Sequence, residues 1–319
     1  DDGDLKEVDT LSPLQTRTLK SSVGSGAMYW TEAGNQIFFA GASTGIIDKT
    51  ECLPLGIPSP DAPQMLPVAG SLPPGRYVAA LVYRDQHGRQ GGARTVSEIE
   101  LTEDGGIQFL FTVESGYTGL LFVSHINGDQ LFLLAETTTG NYLWSSGTPT
   151  SYPIDQAQMN AYPLPDGIQQ LAFADSRLWA AQTVGNTTYI YRSKPFWYHL
   201  FDLFDYIAVE GKVEMLLAMG SMVIIGTRTK VFPYSDETGL GEPLPYGVVP
   251  GWPGAIIDGK AYFWTTRGYC RGIPFENLTD GIYSVPPGSR AAVGRYESKG
   301  NNLLLVATDT SGEANNAYN

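Results

Sequence analysis

The sequence is poor in cysteine and histidine, and each shortage excludes a class of protein. Only two cysteines occur in 319 residues, Cys52 and Cys270, so a fold held together by several disulfides is excluded. We expect two free thiols rather than one bridge. The three histidines, His87, His125 and His199, lack the spacing typical of a metal site. The sequence therefore predicts no bound metal.

Long apolar runs and positive charge are also scarce. No run approaches the length of about 20 apolar residues that a transmembrane helix needs, so we expect no membrane association. The 20 Lys and Arg residues stand against 33 Asp and Glu, which gives a formal net charge of −13. Because nucleic-acid binding depends on neutralising phosphates with Lys and Arg, a surface that grips nucleic acid is excluded. Acidity favours solubility, and it also allows nucleic acid to pass without adhering.

Glycine, proline and aromatic residues are abundant. The chain contains 37 Gly, 21 Pro, 18 Tyr and 13 Phe, a composition that suits many short strands joined by tight turns. Almost no segment shows sustained helical periodicity. A short helix is predicted only around Pro195 to Phe204, where the proline suits a first helical position. The predicted fold class is all-β.

A short motif recurs five times: a polar or glycine turn, a variable residue and then an apolar strand. The reference copy is DSRLWAA, which begins at Asp175, and the other copies begin at residues 34, 220, 258 and 300. The last four starts lie about 40 residues apart, a spacing typical of a four-stranded propeller blade. We therefore predict a β-propeller-like domain of about five blades. It comprises residues 26–52 and 150–319, after an irregular N-terminal arm at 1–25.

The gap between the first two copies is far too long for one blade and predicts an insertion. Residues 53–67 are rich in proline and are predicted to form an exposed linker. Residues 74–85 alternate like a half-buried strand. Further strands are predicted at 95–101, 106–113, 119–125 and 130–136. Turn signals at this frequency predict an inserted immunoglobulin- or fibronectin III-like β-sandwich at residues 68–149.

Candidate catalytic residues are few. Gly41 to Gly45 matches the G-x-S-x-G pattern, but a nucleophile elbow needs a helix after the serine, and here a strand or loop is predicted. Asp175 and Asp258 open strands at the repeat position and are predicted to stabilise turns. The candidates for the paired acids of a glycoside hydrolase are Asp202, Asp205, Asp236, Glu237 and Glu297. None has a repeated catalytic setting, so we expect no catalytic residues and no cofactor.

An aromatic cluster follows the reference copy and has no counterpart in the other copies. Three interpretations are open: packing between blades, a subunit contact and a sugar-binding platform. Aromatic residues are favoured anchors of protein interfaces. The possible subunit interface comprises Lys194, Phe196, Trp197, Tyr198, Phe201, Phe204 and Tyr206.

Three stretches together carry a resemblance to a known family: GRYVAALVYRDQHGR at 75–89, RLWAA at 177–181 and YRSKPF at 191–196. With these motifs the chain resembles tailed-bacteriophage virion proteins of the neck, nozzle or tail, in which a propeller-like domain carries an inserted sandwich. The resemblance covers residues 28 to 285 and brings no catalytic residues.

The resemblance implies a structural subunit of the virion that assembles with copies of itself around a symmetry axis. Its other partners would be portal, adaptor or tail subunits, and DNA would pass through an acidic lumen without specific binding. Two other classes stay open. One is a peripheral receptor- or glycan-binding propeller, and the other is a propeller glycoside hydrolase.

Overall fold

The computed structural model describes residues 4–8, 16–24, 28–48, 51–282, 286–298 and 301–309. Contacts within the chain divide it into two compact units. The first unit comprises Asp1–Leu53, Asp166–Tyr191 and Tyr206–Asn319, and the second comprises Pro54–Pro165 and Arg192–Asp205. The predicted inserted domain, 68–149, falls inside the second unit, and its boundaries stay a prediction.

Strands account for most of the described residues. Those before the second unit are β1 (Leu5–Val8), β2 (Thr16–Lys20), β3 (Tyr29–Ala33), β4 (Gln36–Ala40), β5 (Gly45–Asp48) and β6 (Glu51–Leu53). Next come β7 (Gln64–Leu72), β8 (Gly75–Asp85), β9 (Ser97–Leu101), β10 (Gly105–Leu110), β11 (Tyr117–Ser124), β12 (Leu131–Thr137) and β13 (Asn141–Trp144). The remainder are β14 (Ile168–Ala174), β15 (Arg177–Val184), β16 (Thr187–Lys194), β17 (Trp197–Glu210), β18 (Val213–Met219), β19 (Met222–Thr227), β20 (Val231–Ser235), β21 (Gly239–Leu240), β22 (Gly251–Trp252), β23 (Gly254–Ile257), β24 (Lys260–Thr265), β25 (Gly268–Arg271), β26 (Glu276–Asn277), β27 (Ala291–Ser298) and β28 (Asn301–Thr308).

Four sheets share one antiparallel order in which each strand pairs with the next along the chain. We call them the first sheet (β3-β4-β5-β6), the second sheet (β14-β15-β16-β17), the third sheet (β18-β19-β20-β21) and the fourth sheet (β23-β24-β25-β26). In each sheet the repeated motif forms the second strand. The fifth copy forms β28 in the three-stranded fifth sheet, β22-β27-β28. The prediction that every copy opens a strand is therefore confirmed.

Tight turns, whose residues have left-handed backbone conformations, position these second strands. Asp175 and Ser176 have φ angles of 50° and 56°, and Asp258 and Gly259 have 50° and 74°. Two successive positive φ angles are what a type I′ hairpin turn requires, and its twist matches that of the flanking strands. Both aspartates therefore lie in turns, and the stabilisation of these turns by their side chains stays a prediction.

Within the first unit, the first strands of successive sheets contact one another. β3 contacts β14, β14 contacts β18, and β18 contacts β23, while β23 also contacts β27, the middle strand of the fifth sheet. Apolar side chains fill the space between sheet faces: Trp179 and Val223 belong to one cluster, and Ile224 and Phe263 belong to the next. Burial of these faces supplies the main free energy that holds the sheets together.

The N-terminal residues form strands where the sequence predicted an irregular arm. β1 and β2 pair antiparallel, and we call them the N-terminal pair. Leu5 and Leu19 of this pair join Phe39 and Ile47 of the first sheet in one apolar cluster. The described part of the arm is thus packed onto the first sheet.

The second unit contains two antiparallel sheets, β13-β10-β7 and β12-β11-β8-β9. One apolar cluster holds residues of both, including Tyr77 and Leu121 from one sheet and Phe109 and Trp144 from the other. The rings of Tyr77 and Trp144 meet edge to face with centroids 5.5 Å apart. The two sheets therefore share a core.

β8 is buried on both faces, so the prediction of a half-buried strand was wrong. Every residue from Tyr77 to Tyr83 is buried. One face lies in the core between the two sheets, while Ala80 on the other face clusters with Ile154 and Met159. These two residues lie after β13. The sequence of β8 alone therefore does not reveal that its second face is buried.

Residues 53–67 are not the exposed linker that their proline content predicted. Leu55 and Ile57 are only 2% and 1% exposed. Ser59 is also buried, and its hydroxyl donates to the carbonyl of Ala161 over 2.9 Å. β7 begins at Gln64, inside the predicted linker. The prolines therefore lie within a packed segment of the second unit.

The predicted helix around 195–204 is also absent, because Trp197–Glu210 forms β17. In the part of the chain that the structure describes, the only helical element is the short 3₁₀ turn Gln156–Gln158. Cys52 and Cys270 are free thiols, as expected. The all-β prediction is confirmed.

Truncation of Ile57 tests the corrected position of residues 53–67. Ile57→Ala leaves a cavity in the second unit and should lower its free energy of unfolding by about 2–4 kcal/mol. Hydrogen exchange of the β8 and β11 amides measures this unit separately. Gln64→Ala, at an exposed position, is the control and should change it by less than about 0.5 kcal/mol. Equal, small effects of both substitutions would show that the segment is an open linker.

Candidate functional site

The predicted interface lies on the hairpin of β16 and β17, and its outer part, residues 192–205, is counted with the second unit. Phe201 and Tyr162 exchange two backbone hydrogen bonds, of 2.8 and 2.9 Å. His199 Nε2 donates to the carbonyl oxygen of Gln90 over 2.8 Å. The segment is thereby fixed to residues more than 30 positions earlier in the chain.

Ion pairs hold the two arms of this hairpin together. Arg192 donates to both oxygens of Asp205, with distances of 2.7 and 2.8 Å. Lys194 Nζ lies 3.7 Å from a carboxylate oxygen of Asp202. The backbone N–H of Phe204 donates a hydrogen bond of 3.0 Å to the other oxygen of that carboxylate. Bidentate arginine–carboxylate pairs are geometrically specific and rigid. Asp202 and Asp205 therefore stabilise the hairpin.

The predicted aromatic cluster divides into buried and exposed members. Phe201 is completely buried, whereas Phe196 is 74% exposed and Phe204 is 83% exposed. Trp197 and Tyr198 are partly buried. Tyr206 belongs to the first unit, where its ring meets those of Tyr189 and Tyr191 with centroids 5.1 and 6.3 Å apart. Phe196 and Phe204 are thus the most exposed members of the predicted cluster.

Phe196 stands in an unusual backbone conformation. It has a φ of 62° and follows Pro195 in the turn between β16 and β17. Proline followed by a residue with positive φ is the pattern of a type II turn, which normally has glycine at the second position. A bulky side chain in the left-handed region costs roughly 1–2 kcal/mol relative to glycine. The turn therefore presents an exposed aromatic ring at an energetic cost.

The fold shifts the titration of His199. Burial lowers its pKa from the ordinary value of 6.5, and the nearby Arg89 guanidinium lowers it further. Its bond to the Gln90 carbonyl and the charge of Asp85 act in the opposite direction and are weaker than burial. The neutral imidazole, protonated at Nε2, is thus the form that the anchored segment favours.

A small cavity in the first unit is a second candidate site, and the sequence did not predict it. It measures about 160 Å³ and is lined by Tyr29 and Trp30 of β3, by Gln170 and Glu214, and by Trp252. Trp30 and Trp252 are 40% and 41% exposed, and the rings of Tyr29 and Trp252 lie 4.9 Å apart. Aromatic walls with a few polar groups are typical of small-molecule pockets.

Glu214, one of the lining residues, carries a buried carboxylate. The side chain of Glu214 is only 3% exposed, and its oxygens lie 2.8 Å from Arg228 Nε and 3.4 Å from Lys212 Nζ. Gln170 donates to the backbone oxygen of Glu214 over 3.0 Å. Burial raises the pKa of the Tyr29 phenol, and the negative charge of Glu214 raises it further. These residues come from separate strands, so only the folded chain brings them together.

Two further sequence candidates, Ser43 and Asp236, lie in a connection and in a turn. Ser43 lies in the connection between β4 and β5, so the strand–serine–helix arrangement of a nucleophile elbow is not formed. Asp236 accepts a hydrogen bond from the hydroxyl of Tyr234. No group of three or more metal-binding side chains occurs within the described ranges. None of the helical segments described there has the length and apolarity to cross a membrane.

No protein-family model matches the chain, and no curated protein matches it significantly. Its function is therefore inferred from the geometry of the chain itself.

The lowered pKa of His199 predicts a loss of stability in acid. The imidazole of His199 binds a proton near pH 6.5 in the unfolded chain and only at lower pH in the folded chain. The contribution of neutral His199 to the free energy of unfolding is therefore fully present above about pH 6.5. It decreases as the pH drops from there towards the pKa of the folded chain. NMR titration of the His199 ring should give a lower pKa in the native protein than in urea, and His199→Gln should weaken the pH dependence. An equal pKa in both states would contradict this prediction.

Proposed function

We propose that this chain is a structural subunit of a tailed-phage virion, in the neck, nozzle or tail. It assembles with copies of itself into a ring or tube around the path of the DNA. The observation that carries the proposal is the presentation of Phe196 and Phe204, 74% and 83% exposed, on a hairpin fixed by ion pairs and backbone hydrogen bonds. Exposed aromatic rings on a rigid support suit the anchor positions of an interface.

The sheet architecture supports a propeller-like first unit. Four meandering four-stranded sheets occur in sequence, and the first strands of neighbouring sheets contact one another. Blades of a propeller are built in this way, with their first strands around a central axis. A rigid, symmetric body of this type offers flat surfaces for assembly with identical copies.

The strand orders support an immunoglobulin-like second unit. In that fold, strands B, E and D are neighbours in one sheet, and strands C, F and G are neighbours in the other. β7-β10-β13 and β8-β11-β12 occupy these positions, with β9 added beside β8. The last strand, β13, takes the place of strand D, which is a departure from the usual chain order.

The charge of the chain supports a position beside DNA. A net charge of −13 repels phosphates, so DNA can move past a ring of such subunits without adhering. In the virion, the other partners would be portal, adaptor or tail subunits. Catalysis, cofactors and membrane contact have no part in this proposed role.

Removal of the two phenylalanines tests the assembly. We expect sedimentation velocity to show a defined oligomer for the native chain and monomers for the double variant Phe196→Gly, Phe204→Ser. Glycine at position 196 also relieves the left-handed strain, so the variant should stay folded, as circular dichroism can verify. Leu143→Ser, which removes a 59% exposed apolar side chain elsewhere in the second unit, should leave the oligomer intact.

A native chain that stays monomeric at high concentration would refute the proposed assembly. An oligomer that survives the double variant would show that these phenylalanines do not form the interface.

Saccharide binding is a second candidate function, favoured by the cavity that contains Trp30, Trp252 and the buried Glu214. Indole faces offer an apolar surface to a sugar ring, and the phenol of Tyr29 offers a hydrogen-bond partner. On a glycan array, Trp252→Ala should abolish binding. Tyr152→Ala, at an exposed position in the second unit, should leave it unchanged. Absence of binding by the native chain would exclude this function.

A further inference from the structure

The cavity beside Trp252 has an exposed arginine close to one of its walls. Arg290 immediately precedes β27 and is exposed to solvent. Its backbone oxygen accepts a hydrogen bond of 2.9 Å from the amide of Asp309, which follows β28. The backbone of Arg290 is therefore fixed by the fifth sheet.

The strand register places Arg290 on the same face of the fifth sheet as Trp252. In the parallel pair of β22 and β27, Gly251 is the partner of Ala291, and Trp252 is the partner of Ala292. Side chains alternate between the two faces of a strand, so Arg290 shares a face with Ala292 and hence with Trp252. Ala292 carries only a methyl group and is itself exposed. The guanidinium and the indole thus border the same surface.

The opposite face of β27 is covered by the fourth sheet. Ala291 packs in one cluster with Trp264 of that sheet. Arg295 alternates onto the same face as Ala291 and forms an ion pair with the turn between β23 and β24. The face with Arg290 and Trp252 is therefore the one that the fourth sheet leaves uncovered.

The charge of Arg290 also reaches the cavity. Burial and the charge of Glu214 raise the pKa of the Tyr29 phenol, and the Arg290 guanidinium acts against them. The rings of Tyr29 and Trp252 lie 4.9 Å apart. Strand register and electrostatics thus independently place the guanidinium beside the aromatic wall of the cavity.

The guanidinium of Arg290 is available to a ligand. Within the described ranges it forms no ion pair. Asp309, its neighbour across the ladder, accepts a hydrogen bond of 3.2 Å from the Ser289 hydroxyl instead. A chain with a net charge of −13 repels anions over most of its surface, so an anionic ligand needs a local cation of this kind.

The buried Glu214 does not act as an isolated negative charge at the cavity. Its carboxylate lies 2.8 Å from Arg228 Nε and 3.4 Å from Lys212 Nζ. Because two cations flank one carboxylate, these three side chains together carry a net positive charge. The paired carboxylate is therefore compatible with an anion in the cavity.

We propose that the cavity binds a saccharide that carries a carboxylate, with the Trp252 indole against the sugar ring and Arg290 on the carboxylate. Arginine suits this partner because its planar guanidinium donates two parallel hydrogen bonds to a carboxylate. The cavity, of about 160 Å³, is smaller than the roughly 300–1,000 Å³ typical of drug-sized ligands, so it suits one terminal sugar residue. Saccharide binding, the second candidate function, is a precondition of this proposal, and a role in a virion is not.

Pairs of glycans that differ only in the carboxylate test the proposal. The array carries uronic acid and sialic acid glycans beside their carboxyl-reduced forms, in which the acid has become a neutral alcohol. We expect the native chain to bind at least one acidic glycan about tenfold or more tightly than its reduced form. Arg290→Gln should remove this preference. Arg295→Gln removes the same charge from the opposite face of β27 and should retain it.

The array separates failure of this proposal from failure of saccharide binding. Equal binding of the acidic and reduced forms would overturn the proposal and leave saccharide binding intact. Binding of no glycan by the native chain would exclude both. An acidic preference that persists in Arg290→Gln would overturn the assignment of the carboxylate to this arginine.

Titration of the Tyr29 phenol checks the position of Arg290 without a ligand. Because the guanidinium lowers the pKa of this phenol, Arg290→Gln should raise it, and Arg295→Gln should leave it unchanged. NMR of labelled tyrosine rings measures both variants, and native chemical shifts elsewhere verify that they are folded. An unchanged Tyr29 pKa in Arg290→Gln would place the guanidinium away from the cavity and overturn the proposal.

Discussion

Backbone hydrogen bonding between strands is the constraint on which this structure depends. The part of the chain that the structure describes has almost no helix, so its buried peptide groups must find partners in neighbouring strands. Each strand therefore needs a neighbour on both sides or an edge that water can reach. The tight turns at Asp175 and Asp258 meet this need locally, because they bring each second strand back beside its first. Contacts between sheet faces then build the cores.

The parts of the fold that were predictable depend on local chemistry. The turn-and-strand motif could be predicted because tight hairpin turns require residues that adopt a positive φ, as Gly34, Asp175, Gly220 and Asp258 do. The spacing near 40 residues follows from the four-strand meander. The errors concern burial by distant residues. Ile57 is surrounded by prolines that resemble a linker, and β8 has a second face that is covered by Ile154. In both cases the residues that cause the burial lie too far along the chain for a local sequence pattern to reveal them.

The candidate site shows the same limit. A density of aromatic residues marked the segment 194–206 as a possible interface, but it did not separate the buried Phe201 from the exposed Phe204. The first is buried because its backbone pairs with Tyr162, almost 40 residues earlier in the chain, and the second remains exposed. The cavity beside Glu214 was missed because its walls come from several sheets. Only the odd sequence Pro250–Gly251–Trp252–Pro253, with a large aromatic residue between turn formers, gave a local signal.

The division of the chain also bears on synthesis at the ribosome. The second unit includes residues 192–205, which are made after residues 166–191 of the first unit. The Tyr162–Phe201 and Gln90–His199 contacts cannot form until this late segment has left the exit tunnel. At a typical translation rate of about 5–20 residues per second, residues 54–165 lack the last strand of their unit for a few seconds after they have been synthesised. During this interval a nascent chain exposes the surface that the late segment will cover, and chaperones have their opportunity to bind there.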